Sequence, residues 1–335
     1  MAAASEYVLE PIRDGAEFAL YRARQRGNEI PFLVVAPAAA QPLLQSLRRL
    51  EHEYSLAAEL EPAWAAKPLA LTRHEGRTIL VLADPGGEPL DRILDRDGQD
   101  ALDVPRFLAL AIGMATALGH VHQHGLIHKD LKPENVIVND AGNVWLTGFG
   151  IASRLPRERQ SPAAPETVAG TLAYMSPEQT GRMNRSMDNR SDLYSLGVTL
   201  YQMFTGVLPF AAVDPLEWVH CHIARQPVAP VLAVTHRDRR AVPEPLSAII
   251  MRLLAKNAED RYQTAAGLEA DLQRCLVQWQ THGRIDSFPL GADDLPDQLL
   301  IPEKLYGREQ ETDALLAAFD RVVAQGTAEL VLVSG

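Results

Sequence analysis

His128-Lys129-Asp130-Leu131-Lys132-Pro133-Glu134-Asn135 is the stretch on which the reading of this chain turns, and Thr147-Gly148-Phe149-Gly150 follows it twelve residues later. Between the two, Val136-Ile137-Val138 and Val144-Trp145-Leu146 flank Asn139-Asp140-Ala141-Gly142-Asn143, whose turn residues predict a short hairpin. Upstream, Phe107, Leu110, Ala111, Met114, Ala115, Leu118 and Val121 fall at helical spacing. Downstream, the segment from Asp192 to Phe204 is apolar nearly all round, the pattern of a helix buried in a core. Further helices are expected over 214–225, 245–255 and 264–280.

Nearer the N-terminus the pattern changes to strands. Glu17 to Arg22 and Pro31 to Val35 are strand-like and joined by a polar turn at Arg26-Gly27-Asn28. Arg77 to Leu82 is another strand, ended by Asp84-Pro85-Gly86-Gly87. Leu43, Leu47, Leu50, Tyr54 and Ala57 predict one helix packing on these strands.

Composition sets limits on partners and compartment. The 335 residues leave room for about two domains. With 32 basic against 43 acidic residues, the net charge of −11 argues against nucleic acid or an anionic membrane as the main partner. Cys221 and Cys275 show no metal-ligand spacing and are expected to be reduced thiols in a cytoplasmic protein. The first residues lack the basic start and apolar core of a signal peptide. No uncharged apolar run is read as approaching the ~18 residues of a membrane span.

The motifs resemble those of bacterial eukaryotic-like serine/threonine protein kinases over roughly residues 7–280. Besides the 128–135 loop, Gly170-Thr171-Leu172-Ala173-Tyr174-Met175-Ser176-Pro177-Glu178 is similar to the end of a kinase activation segment. Ser191-Asp192-Leu193-Tyr194-Ser195-Leu196-Gly197 is similar to the start of the central helix of the large lobe, and Glu259-Asp260-Arg261-Tyr262 to the late arginine motif. The resemblance implies an α+β, two-lobed fold with a small β-rich N-lobe over 7–83 and a larger helical C-lobe over 88–280. It assigns Asp130 to orienting a substrate hydroxyl, Lys132 to the transferred phosphate and Asn135 to a metal ion. Leu82 and Ala83 would line an ATP pocket. Phe149, Gly150, Thr171 and Glu178 would belong to the activation segment, with Thr171 contacting the catalytic loop. Asp192 and Arg261 would be structural, Arg261 pairing with Glu178.

Against that pattern, three parts are missing. Gly148 stands where the resemblance places a metal-binding aspartate. No lysine precedes Lys67, so strand 31–36, with Leu33, Val34, Val35 and Ala36, lacks the phosphate-pairing cation, and Glu53 is expected to be a solvated helix charge. Leu9 to Leu20 contains only Gly15, so a phosphate-hugging glycine loop is not encoded. Lys129 also replaces the arginine many such kinases use to read activation-loop phosphate. Losing one preorganised electrostatic group costs ~10²–10³ in rate. The expectation is therefore a pseudokinase in which ATP is held weakly and Mg²⁺ doubtfully. An active or weakly active kinase and a structural platform are the alternatives.

Other candidates read as structural. His220-Cys221-His222 point about 100° apart on a helix and do not converge on an ion. His120, His122 and His124 are expected to hold a helix end beside the catalytic loop. Ser161 and Thr167 are candidate phosphosites. Residues 281–303 are polar and read as a linker. Within 304–335, Tyr306-Gly307-Arg308-Glu309 and the strand ending Val333-Ser334-Gly335 resemble the entry to an AAA-like ATPase, cut before its P-loop. That order resembles large bacterial sensor histidine kinases, so adjoining ATPase and histidine-kinase domains, or another signalling protein, are the expected partners.

Overall fold

Residue-by-residue alternation builds a five-stranded antiparallel sheet at the N-terminal end. In a computed structural model, which describes residues 7–25, 30–96, 102–154, 171–183, 185–233 and 242–295 and positions 314, 317, 318, 321 and 330, its strands are β1 (Tyr7–Asp14), β2 (Phe18–Gln25), β3 (Phe32–Pro37), β4 (Pro68–His74) and β5 (Arg77–Ala83). They lie in the order β1-β2-β3-β5-β4. β1 falls where the sequence reading expected only a degenerate loop, and β4 escaped it. The polar turn expected at 26–28, the phosphosite candidates Ser161 and Thr167, and the ATPase-entry motifs at 306–309 and 333–335 lie outside the described residues.

One helix, α1 (Leu44–Ser55), crosses this sheet. Its inward face differs from the expected stripe. Leu43 and Tyr54 are exposed, whereas Ser46, Leu50 and Glu53 are buried. Leu50 packs in one cluster with Leu20, Leu33 and Leu80 of the sheet.

After Ala83 the chain turns helical. The short strands β6 (Glu88–Pro89), β7 (Val136–Val138) and β8 (Val144–Leu146) form a small antiparallel sheet, with the predicted hairpin joining β7 to β8. The helices are α2 (Leu90–Arg96), α3 (Val104–Gln123), α4 (Asn189–Thr205), α5 (Pro215–Ile223), α6 (Pro230–Ala233), α7 (Glu244–Leu253) and α8 (Ala265–His282). Asp103 caps α3, accepting the Arg106 N–H at 2.8 Å, as an N-terminal aspartate does well. Contrary to the expectation from sequence, α3 is long and apolar enough to cross a membrane, but 56% of its apolar window is buried inside the protein. Its Phe107, Met114 and Leu118 are core residues against α4 and α8. α4 is buried on every side, and its N-terminus is capped by Asp188.

Residues 283–295 do not behave as a free linker. Ile285 joins the large core cluster. The buried Asp294 carboxylate accepts the N–H of Gln263 at 2.7 Å and of Thr264 at 2.9 Å, and Gly291 N–H donates to Asp271 at 2.7 Å. Polar composition suggested a linker, but Asp294 and the Gly291 and Asp286 N–H groups bond to α8 and the turn before it, while Arg284, Asp286 and Asp293 turn their side chains to solvent.

A buried ion pair pins this lobe. Arg261, fully buried, donates to both oxygens of Glu178 at 2.6 and 2.9 Å and to the carbonyls of Ala255, Lys256 and Arg190. Burial alone would raise the Glu178 pKa, but the Arg261 charge and hydrogen bonds bring it below 4.5. Arg261→Ala leaves a buried carboxylate unpaired and should cost about 3–5 kcal/mol in urea unfolding. Because the folded-state pKa lies below the unfolded one, the pair's contribution is complete above pH 4.5 and is lost as pH falls through the folded value. The Glu178 part of the wild-type acid limb should accordingly be missing from the variant, leaving that of Asp192.

Candidate functional site

Asp192, in the first turn of α4, organises the loop at 128–135. Its fully buried carboxylate accepts the backbone N–H of His128 and of Lys129, both at 2.8 Å, and lies 3.0 Å from His122 Nε2. Burial pushes its pKa up, and the neighbouring His122 and N–H donors bring the balance below the ordinary value. Lys129 adopts a left-handed backbone (φ 68°), and Gln179 Nε2 donates to its carbonyl at 2.8 Å. His128 is buried; its Nε2 donates to the Thr147 carbonyl at 2.9 Å while Nδ1 accepts the Asp130 N–H at 3.2 Å. That places the loop against Phe149, whose ring lies 4.6 Å from the His128 ring. His120 stacks on Trp64 and His124 packs tilted against it, so the three alternating histidines hold this helix end. His222 likewise meets Tyr194 and the Leu172 carbonyl.

The expected site residues do come together. Asp130 Oδ1 accepts the Thr171 N–H at 3.2 Å, and Lys132 Nζ donates to Thr171 Oγ1 at 2.5 Å. Lys132 also lies 3.4 Å from Asp130 and 3.0 Å from Glu134. Asn135 Nδ2 donates to the Asp130 carbonyl at 2.7 Å and to its carboxylate at 3.1 Å. Gly150 runs alongside Arg49 of α1.

Beside them a cavity of about 340 Å³ is lined by Leu20, Val35, Glu53, Asp130, Asn135 and Gly148, among others. Val35 presents hydrocarbon from β3 where a lysine would be needed. Gly148 has φ 79°, and a Cβ built there would sit 2.6 Å from Asn135 Cγ. The amide of Asn135 therefore occupies the space a side chain at 148 would take. Asp140 is exposed in the β7–β8 turn and supplies nothing. Magnesium favours carboxylate oxygens; at this point of the cavity Gly148 offers no ligand, and Asn135 offers a neutral amide turned toward Asp130. Leu82 and Ala83 do not line the cavity, contrary to the sequence reading; Leu82 is fully buried in the core and the Ala83 N–H is bonded to the Lys67 carbonyl.

Glu53 overturns another expectation. It is not a solvated charge but is only 4% exposed, against the cavity. The sequence signal was present: Glu53 is three residues after Leu50, on the same face. Burial raises its pKa to about 7, against the partial relief of the Phe149 and Gly148 backbone N–H groups; its Oε1 has no hydrogen-bond partner.

The residues from α1 to α8 match the protein kinase domain family over 44–272. The chain belongs to that family. It is 37% identical to the serine/threonine-protein kinase PknB of Mycolicibacterium smegmatis over 58% of this chain and 30% of that protein. It is 37% identical to the serine/threonine-protein kinase PksC of Streptomyces coelicolor over 60% and 35%. To the hybrid signal transduction histidine kinase G of Dictyostelium discoideum it is 27% identical over 70% of this chain and 9% of that protein. The chain thus spans about a third of the length of the two bacterial relatives and under a tenth of the third. The eukaryotic-like bacterial serine/threonine kinase resemblance of the motifs stands with these matches.

An acid whose folded pKa is raised weakens the fold as pH rises from the unfolded 4.5 through about 7. Glu53→Gln should remove that slope. At pH 8 the variant is expected to be more stable than wild type, by up to about 3 kcal/mol. Urea melts at pH 5 and pH 8 check it; equal loss of stability at both would contradict a buried, neutral-preferring carboxylate.

Proposed function

We propose that this kinase domain is a pseudokinase, a signalling module that works by binding rather than by phosphoryl transfer. The observation that carries the reading is the Asn135 amide lying in the place of a side chain at Gly148. Phosphoryl transfer relies on metal ions and cations to neutralise the triphosphate, with little else for the protein to do. Here the metal carboxylate and the strand lysine are both replaced, by Gly148 and Val35. Magnesium is not recruited, and the retained Asp130, Lys132 and Asn135 serve to hold the catalytic loop and activation segment together.

The partner is an adjoining ATPase or histidine-kinase domain of a longer protein, or a separate signalling protein. The likeness to a relative named as a hybrid signal transduction histidine kinase, of which the match spans 9%, supports such a multidomain setting. A cytoplasmic location agrees with the buried thiols of Cys221 and Cys275. The intact Asp130–Thr171–Lys132 arrangement favours a second reading, a weakly active serine/threonine kinase.

A radiolabelled-ATP assay separates them. Wild type, Asp130→Asn and Gly148→Asp are all expected at background. Aspartate tolerates a left-handed backbone better than most residues, but its side chain must first displace Asn135. Wild-type phosphorylation abolished by Asp130→Asn would establish the second reading instead. Activity appearing in Gly148→Asp alone would show that the metal ligand was the one part missing.

A further inference from the structure

The part of the cleft nearest β5 is filled. Leu20 of β2, Leu33 of β3 and Leu82 of β5 share one buried cluster with Ile137 of β7, which comes from the helical lobe; each is at most 5% exposed. The backbone beyond Leu82 has little to offer a purine edge. Ala83 N–H is taken by the Lys67 carbonyl at 2.8 Å, Pro85 has no N–H, and Gly86 N–H is taken by Asp84 Oδ1 at 2.9 Å. Arg22 reaches over from β2 and closes this end. Its Nε and NH2 donate to Asp84 at 2.6 and 3.2 Å, and NH2 donates to the Gly87 carbonyl at 2.6 Å.

Bonds between the lobes continue along β1. Arg13 NH1 donates to the Glu134 carbonyl at 2.7 Å and lies 4.0 Å from Asp91. Arg92 NH1, from α2, donates to the Ile12 carbonyl at 2.8 Å. At the back, Leu146 of β8 exchanges bonds with Trp64 at 2.9 Å and Ala66 at 3.0 Å, and His52 of α1 meets the Ala152 carbonyl at 2.7 Å. A nucleotide ordinarily supplies contacts to both lobes. In this protein those contacts are made by the chain itself.

We infer that the cleft is a ligand-free latch: Leu20, Leu33, Ile137 and Arg22 occupy the purine slot, while Arg13 and Arg92 hold β1 onto the helical lobe. These bonds join the lobes across the cleft, and a nucleotide enters only molecules whose latch has opened. Its apparent affinity falls by the open fraction. This goes beyond the loss of phosphoryl transfer, since a protein can bind ATP tightly and still transfer nothing.

Two measurements on the whole chain test it. Calorimetric titration with adenosine and with ADP, without metal, should give no binding up to about 1 mM, the upper end of ordinary KM values. A saturable one-to-one isotherm for either would overturn the filled slot, while leaving the pseudokinase reading to its own assay. Hydrogen exchange of the ligand-free protein should show protected β1 amides. In Arg13→Ala/Arg92→Ala those amides should exchange at least about tenfold faster, with β3 and β5 unchanged. Unchanged β1 exchange in the double variant would sink the latch, whereas protection restored there by ADP would support it, since a nucleotide then enters the opened cleft.

Discussion

The carboxylate of Asp192 is the constraint on which the rest of the helical lobe depends. It is fully buried at the start of a helix that is itself buried on all sides, and it stays ionised because two backbone N–H groups and His122 are aimed at it. Those donors belong to the 128–135 loop and the end of α3. A charge with no route to water can be stabilised only by fixed donors, so the loop has little freedom to move. The left-handed backbone at Lys129 follows from the same demand, because it lets consecutive N–H groups converge on one carboxylate. Glu178 and Arg261 repeat the arrangement one layer further down. Among the described residues the lobe is thus held by buried ionic knots, the Asp188–Arg190 pair included, with apolar packing of α3, α4 and α8 around them.

This explains how the site keeps the outline of the loop although Gly148 and Val35 beside it carry no charge. Asp130, Lys132 and Asn135 sit on a loop whose position is set from behind, by Asp192 and His128, not from in front by a substrate. Gly148 and Val35 offer no charge beside it, and nothing in front compels the loop to move. Its polar groups turned to one another, Lys132 to Thr171 and Asn135 to Asp130. Glu53, without a cation opposite, remained buried with one oxygen unpartnered. A buried acid near neutrality is a cost to the fold that the packing of α1 on the sheet has to offset.

Much of this was legible in the sequence where function is written in motifs. The loop, the activation-segment end, the central helix and the late arginine are short strings whose residue types are fixed by contacts, and Thr171, Glu178 and Arg261 met the partners expected of them. What escaped was decided by context. Glu53 looked like surface because charge on a helix is usually solvated, and only the fold shows that it shares a face with Leu50. The 283–295 stretch looked like linker because composition cannot tell a solvated aspartate from one buried against the turn before a helix, as Asp294 is. β1 was hidden by the expectation of a glycine loop; in its place a strand ends in Asp14 before a single glycine. Leu82 and Ala83 were assigned to a pocket by position alone, and position does not reveal that Leu33 and Ile137 close over it.

The place beside Gly148 makes any gain of a metal ligand a coupled change. An aspartate introduced at 148 would meet the Asn135 amide in its place, that amide facing Asp130, and no cation on β3 to meet phosphates. The residue at 148, the orientation of Asn135 and the charge on β3 form one unit, so a change in any one of them is worth little until the others change with it.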